Sequence, residues 1–437
     1  MQTTQKTNNI NKLNIAAMSV IVGVIIMGFV LDAPLSLIAL IFNVALFVYL
    51  PTEYVLYDLL FLSPFASIYK LSPDSLSFFS IIETLVVIIV LIRAKHISLK
   101  ALIGIFGFAL YLAVGSLVWS DLTMIDWVNP LLVLFIIYLY TTEFQKIDVQ
   151  KLMRYFIFAT LGSSFLALFA NLIPSFYIYV RKLVYSESVI RFSGLNGDSN
   201  YYSVNLIFAL IFSFLLYKNK GGELLFWLEC AMIAYFGILT YSKSFLLMFV
   251  IIMIVVFLDY LRCKKWGVVA LFCIGALFLL LQLLQGKLEM VNGVIERLTR
   301  AEGSLDRLTT GRWEIWKDYV SVIFTNLQIF LFGAGINGPL INRYSPHNLY
   351  IDVLYHFGVI GTIVLIGTIV VCMRHKNKIS LNKYKYLGAM VFFVMYFFLH
   401  GVQSYEICFH IFFVYLVYHF TVNDKSRKND NRIRRII

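Results

Sequence analysis

The chain has 437 residues, of which 60% are hydrophobic and only 14% are charged, and its mean hydropathy is +0.82. A soluble globular domain has about 45–50% apolar and about 25% charged residues, so this composition excludes a mostly soluble protein. The five cysteines lie in or beside apolar runs without CxxC or zinc-finger spacing, which indicates neither a disulfide framework nor a metal site. A net charge of +12 would suit nucleic-acid binding, but the distribution of the basic residues argues against it.

Apolar runs that suit membrane spans recur along most of the chain. A hydrocarbon core about 30 Å thick needs about 20 predominantly apolar residues to cross it. The sequence therefore predicts an all-α polytopic integral membrane protein with about 14 (12–14) transmembrane helices. The first run lacks a small-residue cleavage site, so we predict a membrane helix rather than a removed signal peptide. The predicted spans are 13–31, 34–50, 54–70, 77–93, 101–119, 129–142, 154–173, 200–217, 224–241, 244–261, 266–284, 348–373, 386–402 and 405–421.

Lysine and arginine residues cluster in alternate loops, and this clustering sets the predicted orientation. With fourteen spans these clusters and both termini fall on one side, which the positive-inside rule makes the cytoplasm. Much of the net charge is therefore a topology signal, and no nucleic-acid partner is predicted. The chain divides into N-terminal spans (1–284, about 11 helices), a large external loop (285–346), and C-terminal spans with a basic tail (347–437).

Ionisable residues on the opposite, external side run against the orientation signal. Arg191 precedes a span in RFSGLNGDSNYYS, Lys243 lies between two apolar runs in TYSKS, and Arg312 lies in TGRWEIW. Arginine binds phosphate oxygens bidentately and stays charged in any surroundings. His347 begins a span after Pro346, and a neutral imidazole there could take a proton from a hydroxyl group.

Each of these residues also has a structural interpretation. A cation at a helix end often extends into the lipid headgroups, and a histidine at a helix start is often a cap or an interfacial side chain. Trp313 and Trp316 suit interfacial anchors. Helical spacing in the large external loop predicts two short helices near the membrane surface, with turns at Gly303 and Gly311. His356, close to Asp352, suits a buried hydrogen-bonded group. A further cluster near the outer ends of the last two spans contains His400, Glu406 and His410.

Together these motifs resemble the O-antigen ligase/polymerase superfamily of bacterial envelope proteins. RFSGLNGDSNYYS is similar to that family's R-x-x-G-x-x-x-D/N-x-N element, and LTYSKS is similar to its L-T-x-S-R/K turn. SPHNLYIDVLYHFGVIG is similar to the family's H-N-x-x-L-x-x-x-x-x-x-G-x-x-G segment, and the large external loop carries TGRWEIW. The family's turn often has arginine where this chain has Lys243, and a lysine would bind phosphate as a point charge rather than as a fork.

The resemblance implies a membrane-embedded, metal-independent glycosyltransferase with a GT-C-like fold and no cofactor. Such enzymes use sugars carried on undecaprenyl diphosphate at the outer face of the bacterial cytoplasmic membrane. Arg312 would stabilise the departing diphosphate, and His347 would act as general base on the acceptor hydroxyl or position it, with inversion of the anomeric centre. The implied substrate-binding residues are Arg191, Gly194, Asn200, Lys243, Arg312 and Asn348.

Several reactions and functions remain open at this point. A polymerase, which joins lipid-linked repeat units, is favoured because the external loop has moderate size and no extra acceptor-binding domain. The alternatives are a ligase that transfers finished glycan to lipid A-core, and a flippase for polyprenyl-linked sugars. A flippase should show internal symmetry, and no repeat is visible in the sequence. The predicted partners are a lipid-linked donor and acceptor, membrane lipids, a chain-length regulator and a flippase.

Overall fold

The computed structural model contains α-helices and short 3-10 helices, with no β-strand in the residues that it describes. This agrees with the all-α prediction. The described residues are 2–31, 33–71, 77–94, 97–119, 124–184, 191–284, 311–374, 383–399 and 406–421.

The helices within these ranges are numbered in chain order. They are α1 (Gln2–Val30), α2 (Leu35–Tyr49), α3 (Thr52–Leu62), α4 (Phe79–Arg93), α5 (Leu99–Trp119), α6 (Met124–Glu143), α7 (Val149–Leu168), α8 (Pro174–Val184), α9 (Ser199–Lys220), α10 (Glu223–Leu239), α11 (Lys243–Arg262), α12 (Trp266–Leu284), α13 (Arg312–Thr325), α14 (Leu327–Phe332), α15 (Leu349–Met373), α16 (Leu387–Tyr396) and α17 (Glu406–His419). The 3-10 helices are Ser63–Ile68, Ala170–Leu172 and Ile341–Arg343.

In the described part of the chain, 4 helices are long and apolar enough to cross a membrane: α1 over Leu13–Val30, α9, α11 and α15. Shorter apolar helices include α2, α16 and α17. These helices indicate an integral membrane protein, and the total of about 14 spans stays a prediction.

Several predicted boundaries differ from the observed ones. The predicted span 54–70 is two pieces, because α3 ends at Leu62 and a 3-10 helix with Pro64 in its first turn follows. Proline lacks an N–H and clashes with the preceding turn, so it cannot continue the helix. Within residues 386–399, the described part of the predicted span 386–402, α16 is the helical portion. The external segment between the seventh and eighth predicted spans contains α8.

α15 is interrupted near its middle, which corrects the continuous span predicted at 348–373. Gly358 has φ +60° and ψ −174°, and a Cβ there would lie 2.5 Å from the Gly333 nitrogen. The Ala334 N–H donates to Tyr355 O at 2.7 Å, so the loop after α14 satisfies a carbonyl beside the break. The Tyr111 hydroxyl of α5 lies 2.5 Å from Phe357 O and 2.8 Å from Phe332 O. Tyr111 thus joins α5 to the end of α14 and to the part of α15 before Gly358.

α9 is the central helix of the bundle. In an apolar 18-residue stretch of this helix, 94% of the residues are buried. The helix packs against α7, α10, α11, α16 and α17. Such complete burial suits an apolar helix that is surrounded by protein rather than by lipid. The two ends of α9 therefore lie where several helices meet, and polar residues gather at both ends.

Candidate functional site

The segment before α9 is held in a compact turn. Asp198 caps the helix, and its carboxylate accepts hydrogen bonds from the N–H groups of Asn200 at 2.6 Å and Tyr201 at 3.3 Å. Gly194 has φ +59°, and a Cβ there would lie 2.6 Å from the Tyr202 ring. The turn therefore requires glycine at 194. Its observed role is packing, which leaves the predicted contact with substrate a prediction.

Arg191 joins this segment to the turn between α10 and α11. Its Nε donates to Thr240 O at 2.8 Å, and its Nη2 donates to Asn200 Oδ1 at 3.0 Å. The Ser242 hydroxyl also donates to Asn200 Oδ1, at 3.4 Å. Lys243, half-buried, is the first residue of α11 and directly follows Ser242. The structure thus brings together two motifs that are separate in the sequence.

Arg312 is the first residue of α13 and follows Gly311, whose φ is +82°. The turn and the helix after it agree with the sequence prediction. The half-buried guanidinium donates through Nη1 to Phe398 O at 2.9 Å, the one hydrogen bond that it makes with the described residues. Burial lowers the pKa of Arg312, and the negative charge of Asp198 opposes this effect. An arginine stays cationic despite such a shift, so a partly desolvated positive charge faces the cap of α9.

Trp316 connects α13 to the segment that carries His347. Its indole N–H donates to Pro346 O at 2.7 Å, and its ring packs against Phe397 with 5.1 Å between centroids. The side chain is 6% exposed, so the interpretation of Trp316 as an interfacial anchor is wrong. Arg312 lies four residues earlier, on the same face of α13. Arg312 therefore lies on the face of α13 that contacts, through Trp316, the segment leading into α15.

His347 is held in an uncommon backbone conformation between two fixed neighbours. Its φ is +44°, in the left-handed region that non-glycine residues rarely adopt, and its side chain is half-buried. Asn348 caps α15, because its Oδ1 accepts from the N–H groups of Tyr350 at 3.0 Å and Ile351 at 3.2 Å. Asn348 is 2% exposed, so its observed role is to fix the backbone after His347. Strained residues of this kind cluster at functional sites.

A buried hydrogen-bond network connects the segment before α9 to α16 and α17. The amides of Asn196 and Asn205 both donate to Glu406 Oε1, at 2.5 and 3.3 Å. Because the Asn205 amide nitrogen donates to Glu406, its oxygen accepts from His410 Nε2 at 2.8 Å. His410 Nδ1 is then the acceptor for the Tyr396 hydroxyl at 2.6 Å. Every member has a consistent role, so the network fixes the segment before α9 relative to α16 and α17.

The structure adds residues that the sequence analysis did not assign to the site. Asp198 stands at the D/N position of the first motif and at a helix N-cap, and these two signals could have identified it. Glu406 and His410 belong to one network as the cluster suggested, whereas His400 lies outside the described residues. His356 is confirmed as a buried hydrogen-bonded group, with Nε2 at 3.2 Å from Asp352 Oδ1.

Comparison with known proteins is informative for the second half of the chain. Residues 228–366 match the family model described as O-antigen ligase. No curated protein and no solved structure matches the chain. The matched segment contains Lys243, Arg312, His347 and Asn348. It begins after Arg191, Gly194 and Asn200.

Proposed function

We propose that this chain is a repeat-unit polymerase of the O-antigen ligase/polymerase superfamily, because residues 228–366 match the family model described as O-antigen ligase. It is a membrane glycosyltransferase that joins undecaprenyl-diphosphate-linked oligosaccharides at the outer face of the bacterial cytoplasmic membrane. Donor and acceptor are both lipid-linked glycans, so both reach the site from the bilayer. A flippase supplies them, and a chain-length regulator acts on the product.

The main support for this proposal is the burial and hydrogen bonding of Arg312. Its half-buried guanidinium uses one of its five N–H donors on Phe398 O within the described part of the chain, which leaves donors for ligand oxygens. Arginine binds phosphate oxygens with short, charge-assisted hydrogen bonds. A diphosphate that leaves a sugar gains negative charge in the transition state, and a pre-placed cation stabilises that charge without reorganisation. Arg191 and Lys243 flank the same helix end as further contacts for the donor.

His347 supplies the base in this proposal. Its imidazole takes the proton of the acceptor hydroxyl while the hydroxyl oxygen attacks the anomeric carbon of the donor sugar. The bond between that carbon and the diphosphate oxygen breaks, and the diphosphate leaves with the bonding electrons. A single displacement of this kind inverts the anomeric centre. The fixed backbone on both sides of His347 holds the imidazole in place for this step.

The test is glycan chain length on a gel, in cells that lack this gene and carry the wild type or His347→Ala. Equal membrane insertion of both proteins is checked first. His419→Ala is the matched control, since His419 lies at the far end of α17 from Glu406. We expect single-repeat glycan from His347→Ala and long polymer from His419→Ala. Long polymer from both variants would refute the base role of His347.

The ligase alternative has the description of the matched family in its favour. A ligase predicts that His347→Ala leaves long lipid-linked polymer in place and abolishes its transfer to lipid A-core. The flippase alternative has the interruption of α15 at Gly358 in its favour, because broken membrane helices are typical of transporters. A flippase predicts that repeat units accumulate at the inner face when the gene is absent, and that single removal of Arg312 or His347 leaves glycan length unchanged.

A further inference from the structure

A cavity of about 300 Å³ lies at the end of the bundle opposite the candidate site. It is formed between the C-terminal end of α11 and the N-terminal end of α16, so it is a helix length away from Lys243 and Ser242. No role in the proposed glycosyl transfer involves this end of the molecule. Its polar lining residues include Asp259, Arg262, Lys383 and Tyr384.

Two cations face this cavity. Arg262, in the last turn of α11, has no hydrogen-bond or ion-pair partner among the residues that the structure describes, so its fork of N–H donors is available. Lys383, in the segment before α16, also lines the cavity, with its Nζ at 2.7 Å from Asp259 Oδ1 and at 5.0 Å from the centroid of the Tyr384 ring. An arginine and a lysine that line one cavity form a site for an anion that has several oxygens.

The Asp259 carboxylate in the cavity wall does not repel an anion, because neighbouring side chains already neutralise its charge. Asp259 Oδ2 lies 2.8 Å from Lys218 Nζ, and the Tyr384 hydroxyl donates to Asp259 Oδ1. The Asp259 side chain is only 4% exposed. With Lys218, Lys383 and Arg262 set against Asp259, the local formal charge is +2, which is complementary to a phosphate group.

The remaining walls are apolar and continue onto the outside of the bundle. Val255, Leu258, Leu387 and Met390 line the cavity. Leu258 is 44% exposed, and Ile254, one turn earlier on α11, is 52% exposed. In an integral membrane protein such exposed aliphatic side chains face lipid. A ligand that fits this surface therefore has an anionic head and an apolar tail that extends towards the bilayer.

We propose that this cavity binds an anionic phospholipid, with the headgroup phosphate between Arg262 and Lys383 and an acyl chain along Val255 and Leu258. Basic pockets between membrane helices on the cytoplasmic side are a known form of anionic-lipid site. The basic loops predict that this end is cytoplasmic, which places the pocket at the inner leaflet. The proposal does not depend on the reaction at the other end of α9.

The experiment is a lipid titration of the full chain, purified in a neutral detergent and followed by native mass spectrometry. The probes are phosphatidylglycerol, phosphatidylcholine and inorganic phosphate. We expect the protein to retain phosphatidylglycerol in preference to phosphatidylcholine, and excess inorganic phosphate to leave it bound. Equal retention of both lipids would overturn the proposal. Displacement of phosphatidylglycerol by phosphate would overturn it too, and would identify a free-phosphate site instead.

Arg262→Gln should weaken phosphatidylglycerol binding by about tenfold to hundredfold, because it removes the charge-assisted hydrogen bonds of one guanidinium. Arg374→Gln is the matched control, an exposed arginine at the C-terminal cap of α15 that does not line the cavity. Leu258→Trp, which fills the apolar wall without a change in charge, should give a similar loss. Wild-type affinity in both Arg262→Gln and Leu258→Trp would refute the site.

Discussion

The two ends of α9 and α11 hold positive charge in different ways. At the basic end two lysines pair with carboxylates, Lys218 with Asp259 at 2.8 Å and Lys265 with Glu223 at 2.6 Å. At the other end Arg312 donates to a backbone carbonyl. The same pair of helices thus connects a region of ion pairs to a region where an uncharged backbone carbonyl holds the Arg312 guanidinium.

This difference separates structural charge from charge that can act on a ligand. A buried ion pair cancels its own field and costs energy when one partner is removed. A carbonyl oxygen orients a guanidinium but leaves its net charge in place, so an anion that arrives later is still attracted. The comparison therefore predicts that substitutions in the buried Lys218–Asp259 pair change stability, and that substitutions at Arg312 change activity.

The largest effect is expected at Asp259. Asp259→Ala leaves Lys218, whose side chain is 8% exposed, without its carboxylate. Breaking a buried pair in this way costs about 3–5 kcal/mol, so the melting temperature of the purified protein should fall steeply. Activity per folded molecule should stay near the wild-type value. If activity is lost while the melting temperature is unchanged, the division between the two ends is wrong.

Arg312→Gln should have the next largest effect, on rate rather than on stability. Loss of one transition-state contact of this kind typically lowers kcat by about 10²–10³-fold. The measurement is polymer formation from lipid-linked repeat units in reconstituted membranes. Lys317→Gln is the control, because Lys317 is an exposed cation on the same helix, paired with Glu314. Equal rates in the two variants would remove Arg312 from the mechanism.

Gly358→Ala tests whether the site depends on the interruption of α15. The residue has φ +60° and no room for a Cβ, so the substitution should cost about 1–3 kcal/mol in strain and displace the loop that contains Gly333. Gly367→Ala, in the second segment of α15 with no atom within 4 Å of the added Cβ, should be neutral or slightly stabilising. Thermal unfolding of both variants makes the comparison, and an equal loss in both would indicate that the break is not required.

The smallest effect is expected for Glu406→Gln, which separates a positioning residue from a catalytic one. Glutamine keeps an oxygen that can accept from Asn196 and Asn205, so kcat should stay within about twofold of the wild type. Glu406→Leu removes that acceptor and should raise KM, since the segment before α9 loses its support. A large fall in kcat for Glu406→Gln with KM unchanged would instead identify Glu406 as an acid or base.

Hydropathy and charge predicted the helical class, the long spans that became α9 and α11, and the helix after Gly311. They did not predict where a helix breaks, because apolar composition reports the environment of a segment and not the continuity of its hydrogen bonds. Gly358 lies in an apolar run, and its conformation depends on contact with Gly333. The link between Glu406 and the segment before α9 was equally hidden, since Asn196 and Glu406 are separated by 210 positions. The motifs located the residues of the candidate site, but only the fold shows that Arg191 holds a turn and that Trp316 is buried.

The interruption of α15 also constrains how the protein is made. An uninterrupted apolar helix satisfies its own backbone and can enter the bilayer alone. The two segments of α15 instead rely on the N–H groups of the loop after α14 and on Tyr111, which is 246 residues away from Phe357. The order of synthesis then matters, because α5 enters the membrane long before its partners exist. The final geometry around His347 can form only as a late assembly step, after the ribosome has passed Gly358.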